Sequence, residues 1–405
     1  MKICFVYSSI FNLVGIQRCI TDLSNYLIDR DYDITILCSE STIKEDRSIY
    51  GLNNKVKVIF TDKKSTLSRL LSFYRKPLIY LNRKFGFFKN NIMLLKKIYY
   101  PYFHDIESII NENKYDIVIS SATYFNALLP LLKINEEITL IGWQHSSHMN
   151  YFEEGVYKNQ DAIIKNMFSK LDAYIVLTDD DRKKIKKDYG VNVKRIYNPI
   201  NFKQTKVGSL NNKNFIAVGR LSKEKRFDLL IENFNKFHTK NKEWKLQIYG
   251  DGPERDSLEK LIIELNLENY VKINHFTNKI TCKYLESSIY CMTSFGEGFG
   301  LVVIEAMESG IPVISYDIPS MKEILNDKCA ILVKEGCNND YINAMFELSN
   351  NEKLYKKMSK FSKEKAKEFY IENIGHEWEI LFKDLKGKNE NEVNKNNRNN
   401  NKKNL

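Results

Sequence analysis

Two glutamates eight positions apart, Glu297 and Glu305, lie in Ser294–Ser315, SFGEGFGLVVIEAMESGIPVIS. Glu297 falls in a loop with Gly296, Gly298 and Gly300. Glu305 falls on the following helix, whose neighbours Leu301, Val302, Val303, Ile304, Ala306 and Met307 are apolar on every face, so this helix should be buried. A buried carboxylate is costly unless something binds it. A helix N-terminus behind a glycine loop presents free N–H groups and a partial positive charge, which suits a phosphate. One segment thus offers an anion cradle, at Gly298, Phe299, Gly300, Leu301 and Val302, beside acceptors for hydroxyls. A nucleotide-sugar site needs both. The same residues could also serve as a strand–turn–helix packing device with Glu305 in a structural ion pair.

Other segments supply matching chemistry. Gly219-Arg220-Leu221-Ser222-Lys223-Glu224-Lys225 follows a strand-like run. Gly219 permits a sharp turn, and Arg220 and Lys225 could converge on one diphosphate. Ordinary surface charge is the rival reading. Tyr249-Gly250-Asp251-Gly252-Pro253 reads as a tight turn more readily than as a ligand contact, although Gly250 would allow close backbone approach. Phe276 ends another strand, where a base could stack. In the first half, Gly15 follows the first strand and could face a phosphate or sugar. His145, in Trp143–His148, stands at a strand's carboxyl end, where ligands of such folds bind. Asp179–Asp181 reads as N-terminal capping charge on a helix. No metal site is expected.

These segments need a frame. Short apolar strands alternate with amphipathic helices from Lys2 to Leu177 and again from Phe215 to Ser315. That pattern predicts α/β architecture with parallel sheets covered on both faces. With 405 residues, two doubly wound, Rossmann-like domains facing a central cleft are expected. The expected bounds are 1–200 for the first domain, 201–214 for a linker and 215–368 for the second. A C-terminal helix over 369–386 is expected to cross back to the first domain, followed by a disordered tail over 387–405 rich in Asn, Lys and Glu.

Together these features resemble the retaining glycosyltransferases of family 4, with the GT-B fold. The resemblance spans about residues 1–385. It rests on the E-x7-E motif from Glu297 to Glu305, the Tyr197–Ile200 junction YNPI, GRLSKEK and YGDGP. It implies a nucleotide-sugar donor, a UDP-sugar by family frequency, and no metal or other cofactor. Glu305 would bind the ribose hydroxyls, and Glu297 would stand by the donor sugar. The amides of Phe299 to Val303 would meet the sugar and diphosphate. Arg220 and Lys225 would neutralise the leaving diphosphate, and His145 would contact the transferred sugar. The first loop departs from the family, with Gly15, Ile16, Gln17 and Arg18 in place of two glycines and Glu-Arg. Arg226 stands where glycine is common.

Seven scattered cysteines without C-x-x-C argue for a reducing compartment. The start reads directly as a strand rather than a leader, and no run is long and apolar enough to span a membrane. The net charge of +11 points to an anionic partner. Ten Lys or Arg and ten Phe or Tyr fall in an insert over 63–104 that lacks Asp and Glu. A basic, aromatic, amphipathic insert suits an anionic membrane surface, although a folded insert with its aromatics in the core is the plain alternative. The resulting expectation is a cytoplasmic enzyme, peripheral on the inner face of the plasma membrane. It would pass a hexose or N-acetylhexosamine to a glycan or lipid-linked acceptor in bacterial surface polysaccharide synthesis. A GT-B-like sugar-nucleotide epimerase is the alternative; a nucleic-acid-binding protein would leave the E-x7-E loop unexplained, and no nucleic-acid partner is expected.

Overall fold

A computed structural model describes residues 1–11, 15–39, 45–61, 77–87, 89–93, 104–121, 123–153 and 157–403, the side chains of 123, 124 and 388–403 excepted. The chain divides into two compact units, Met1–Pro199 with Ile371–Leu405, and Ile200–Tyr370. Each is a parallel sheet with helices packed on it.

The first unit holds β1 (Lys2–Tyr7), β2 (Asp33–Cys38), β3 (Lys57–Phe60), β4 (Ile117–Ser121), β5 (Thr139–Trp143), β6 (Ala173–Val176) and β7 (Lys194–Arg195). Their order across the sheet is β3-β2-β1-β4-β5-β6-β7, every neighbouring pair parallel. The central strands are continuous apolar runs because helices cover both faces. Strand order reverses between β1 and β4, which opens a crevice at their carboxyl ends. After β4, Thr123–Leu128 is α-helical and Leu129–Leu131 tightens to a 3-10 turn at Pro130, where proline cannot donate to a continuing helix.

The C-terminal helix Ile371–Lys403 belongs to this unit. Trp378 meets Trp143 edge-on, with ring centroids 4.9 Å apart. Glu379 accepts from the Tyr26 and Tyr32 hydroxyls at 3.1 and 3.3 Å. Gly375 lies so close to the Tyr26 ring that a Cβ there would come within 2.3 Å of it. Composition predicts disorder from Gly387, yet the backbone stays helical to Lys403. Past Gly387 this run holds no glycine or proline to break a helix, and Lys and Glu favour one.

The second unit holds β8 (Asn214–Val218), β9 (Lys245–Tyr249), β10 (Val271–Asn274), β11 (Ile289–Met292), β12 (Val313–Tyr316) and β13 (Ala330–Val333). Their order is β10-β9-β8-β11-β12-β13, again parallel throughout, with the reversal between β8 and β11. Residues 201–214, expected as a linker, lie within this unit.

The YGDGP turn packs tightly on the loop after β8. A Cβ at Gly250 would fall 1.8 Å from the Gly219 carbonyl oxygen, and one at Gly252 would fall 2.3 Å from that of Leu221. The two loops zip together through Gly219 N–H to Tyr249 O and Leu221 N–H to Asp251 O, at 3.0 and 2.9 Å. Gly250→Ala forces backbone apart at this junction and is expected to cost about 3 kcal/mol, readable as a lowered urea midpoint.

Candidate functional site

The loop after β8 and the loop after β11 stand side by side at the strand-order reversal, the position where α/β sheets bind ligands. They are tied by backbone. Thr293 Oγ1 donates to the Lys225 and Arg226 carbonyls at 2.9 and 3.0 Å, and the Phe295 N–H donates to Glu224 O at 3.2 Å. Lys225 closes a 3-10 turn, Lys223–Lys225, and its stem passes beside Gly219. Its ammonium forms an ion pair with Glu297, both side chains mostly buried. The two sites that the sequence sets seventy-odd positions apart are therefore in direct contact. Arg226 has φ +52°, the left-handed region, which explains why glycine suits this position.

Arg220 is exposed, with no carboxylate within ion-pair distance among the described residues. Its guanidinium is available to a ligand's charge.

Gly300 starts the helix Leu301–Glu308 in the left-handed region, φ +93°, and a Cβ there would strike Met321 at 2.6 Å. Among the described residues the N–H groups of Gly298, Gly300, Leu301 and Val302 meet no protein acceptor. Val303 does not join them, because its N–H donates to Gly300 O at 2.9 Å; the row of amides that the resemblance implies over Phe299 to Val303 stops at Val302. Phe299 takes part only through its backbone, since its ring is buried edge-on against Phe369 at 5.8 Å.

Glu305 is 4% exposed and accepts from the Tyr284 hydroxyl at 3.0 Å. Tyr284 is fully buried on Ile280–Leu285 and holds the carboxylate's orientation. Sequence reasoning missed this tyrosine: it stands alone on a short helix with no spacing signal linking it to Glu305. A third carboxylate, Glu308, is fully buried and serves the scaffold. It accepts from the Gln204 N–H at 2.8 Å and the Tyr370 hydroxyl at 2.7 Å. Beneath Glu297 lies Tyr290, whose phenol is pushed well above its usual range by burial and then by Glu297's charge.

At the β9 and β10 edge Phe276 is half exposed. Asp251 accepts from its N–H at 2.9 Å and pairs with His275 Nδ1 at 2.6 Å. The Phe276 amide, then His275, hold the Asp251 carboxyl down at about 2.

In the first unit, Gly15 opens the helix Gly15–Ile28; residues 12–14 of its loop lie outside the described residues. His145 follows β5. Both its ring nitrogens are buried and without a hydrogen-bond partner among the described residues, and Trp143 lies 4.3 Å from its ring. Burial pushes its pKa down to about 3, so the ring is neutral near pH 7. The loop rests on Asp181, which accepts from Gln144 Nε2 at 3.0 Å and the His148 N–H at 2.8 Å and is raised to about 6 by burial. Thr178 caps this helix by accepting from the Asp181 N–H.

A pH test follows. His145's folded pKa lies below the ordinary value near 6.5, so below pH 6.5 the unfolded chain takes a proton that the folded one refuses. Acid therefore destabilises the wild type through His145, and nothing changes above pH 6.5. His145→Gln is expected to gain thermal stability relative to the wild type as pH falls from 7 to 4. A constant difference across that range contradicts the assignment.

Residues 200–365 match the family described as Glycosyl transferases group 1, and residues 14–204 match Glycosyltransferase Family 4. A Haemophilus influenzae chain, named an uncharacterized glycosyltransferase, is 28% identical over 315 residues, 76% of this chain and 88% of its own length. The poly(ribitol-phosphate) alpha-N-acetylglucosaminyltransferase of Staphylococcus aureus is 30% identical over 324 residues, 76% of this chain and 61% of its own. A crystal structure of a Staphylococcus aureus TarM mutant with Fondaparinux, alpha-GlcNAc-glycerol and UDP aligns with TM-score 0.75 at 19% identity, over 94% of this chain and 99% of its own. The pneumococcal O-GlcNAc transferase GtfA, solved with UDP and GlcNAc, aligns with TM-score 0.73 at 17% identity, over 95% and 99%. At such identities the structural matches speak for a shared fold.

Proposed function

The chain belongs to the group 1, family 4 glycosyltransferases and has the GT-B fold, and on that premise we propose that it is a retaining enzyme using a UDP-sugar. It moves a hexose or N-acetylhexosamine to a glycan or lipid-linked acceptor in bacterial surface polysaccharide synthesis, at the inner face of the plasma membrane. The observation that carries this reading is one loop and helix start that leaves the N–H groups of Gly298, Gly300, Leu301 and Val302 without a protein acceptor among the described residues, holds Lys225 through Glu297 and carries the buried Glu305 carboxylate.

In this reading the uridine ribose hydroxyls donate to Glu305, held in place by Tyr284. The diphosphate lies on the free N–H groups with Arg220 and Lys225 alongside. The bond from the anomeric carbon to the diphosphate oxygen breaks, and an acceptor oxygen bonds to that carbon on the same face. The acceptor proton passes to the leaving phosphate, and UDP departs. Lys225 and Arg220 stabilise the charge that develops on that phosphate. Glu297 exchanges its ion pair for hydroxyls of the sugar. His145, a neutral ring with two unsatisfied nitrogens, meets the transferred sugar. The fixed charges do the work of a metal, so turnover should persist in EDTA.

A screen of UDP-sugars, reading UDP release with and without membrane lipid extract, tests this. Acceptor-dependent release in EDTA with retention of the anomeric configuration supports it. Interconversion of the free UDP-sugar without transfer points to an epimerase instead.

A further inference from the structure

Among the described residues ten large apolar side chains stand exposed, and half of them, Tyr80, Leu81, Phe85, Phe87 and Met93, crowd into one short stretch. Tyr80 is 62% exposed, Phe85 56%, Phe87 67% and Met93 72%. Soluble proteins rarely leave such a patch uncovered without a partner for it. The patch belongs to the basic insert, of which 77–87 and 89–93 are described; the rest of 63–103 lies outside the described residues.

The helix over 77–85 sorts its side chains. Tyr80, Leu81, Lys84 and Phe85 share one arc, as residues four apart do, while Asn82 is buried. Asn82 Nδ2 donates to Asn159 O at 3.0 Å, and Asn159 Nδ2 returns a bond to Arg83 O at 2.8 Å. The Ala162 N–H donates to Lys89 O at 2.9 Å. The stretch is thus clamped on its polar side to 159–162, the chain that follows the His145 loop, with the apolar arc outward. For Tyr80, Phe85 and Phe87 this arrangement disagrees with the plain alternative in which the insert's aromatics fill the core; the insert's other seven aromatics lie outside the described residues. Lys84 lies 5.3 Å over the Phe85 ring, and no Asp or Glu occurs anywhere in 63–103. Aromatic and aliphatic tips flanked by Arg83 and Lys84 complement an anionic lipid surface, apolar groups entering the interfacial layer and cations meeting headgroups, while Lys89 pairs with Asp161 at 3.1 Å. No helix among the described residues is long and apolar enough to cross a membrane.

We infer that this clamped face, Tyr80, Leu81, Phe85, Phe87 and Met93 with Arg83 and Lys84, seats the enzyme on an anionic bilayer and brings the first unit to an acceptor held there. The inference rests on the reading above of a lipid-linked acceptor. Flotation of the full chain with phosphatidylglycerol-rich vesicles tests it, pure phosphatidylcholine vesicles serving as control and UDP binding being measured on the same preparation. The wild type is expected to float with the anionic vesicles and to lose the interaction in high salt. Phe85→Gln/Phe87→Gln is expected to bind them about tenfold more weakly with UDP binding unchanged; both residues are exposed, so folding should not suffer. Two results overturn it: a chain that stays at the bottom, with or without a dimer that the double variant dissolves, or equal flotation of the double variant. A chain that floats but binds no UDP leaves the surface standing and defeats the donor reading.

Discussion

Glu305→Ala is expected to weaken UDP binding by about ten- to a hundredfold, because hydrogen bonds to a charged group contribute about 1.5–3 kcal/mol. The effect divides into two parts. Ribose hydroxyls lose their acceptor, and the Tyr284 hydroxyl, in a fully buried side chain and bonded to Glu305 at 3.0 Å, loses that acceptor. Losing a buried hydrogen bond of this kind costs about 1–3 kcal/mol of stability. Glu305→Gln separates the two. Its side-chain oxygen still accepts from Tyr284, so stability should return close to wild type, while the charge that favours the ribose hydroxyls is gone. Calorimetric titration with UDP, beside thermal melts of each variant, reads both. A folded Glu305→Ala protein with wild-type UDP affinity contradicts the ribose assignment.

Lys225→Ala is expected to lower kcat by about a hundred- to a thousandfold, the scale for removing one preorganised charge or donor from a developing anion. The structure adds a second consequence. Lys225 and Glu297 are paired while mostly buried, so removing the ammonium strands a carboxylate in a poorly solvated place. The single variant should therefore melt lower than the wild type, and Lys225→Ala/Glu297→Gln should recover part of that loss without recovering turnover. A double-mutant cycle on melting temperature and on kcat gives the two couplings separately. If kcat returns along with stability in the double variant, Lys225 acts only as a structural counter-ion and the diphosphate role falls.

Much of the site was legible because its chemistry is local in sequence. Glycines, then an apolar helix carrying one carboxylate, announce a cradle beside a buried acceptor, and the alternating strands announce parallel sheets that put the loops after β8 and β11 at one edge. The contacts across the sheet were not legible. Nothing in the spacing of Tyr284 shows that its hydroxyl reaches Glu305, since the two meet only when Ile280–Leu285 packs on Leu301–Glu308. Glu308 was passed over because a glutamate at a helix end normally lies in solvent; its burial follows from ties to Gln204 and Tyr370, both distant in sequence. The paired glycines of YGDGP look alike in a ligand loop and in a packing joint, and the joint shows only in the approach of Gly219's carbonyl to Gly250. The reach of the amides implied by the resemblance was overdrawn by one residue, because the first 3-10 bond of the helix consumes Val303.

The central claim is that the donor's diphosphate and ribose sit on the Gly296–Glu305 segment and the Gly219–Arg226 loop. Amide hydrogen exchange of the full chain with and without UDP tests it directly. Slowed exchange is expected at Gly298, Gly300, Leu301 and Val302, whose N–H groups have no acceptor among the described residues without a ligand, with a second, smaller protection across 219–226. UDP that binds and leaves both segments exchanging at their free rates, while protecting another part of the chain, contradicts the claim.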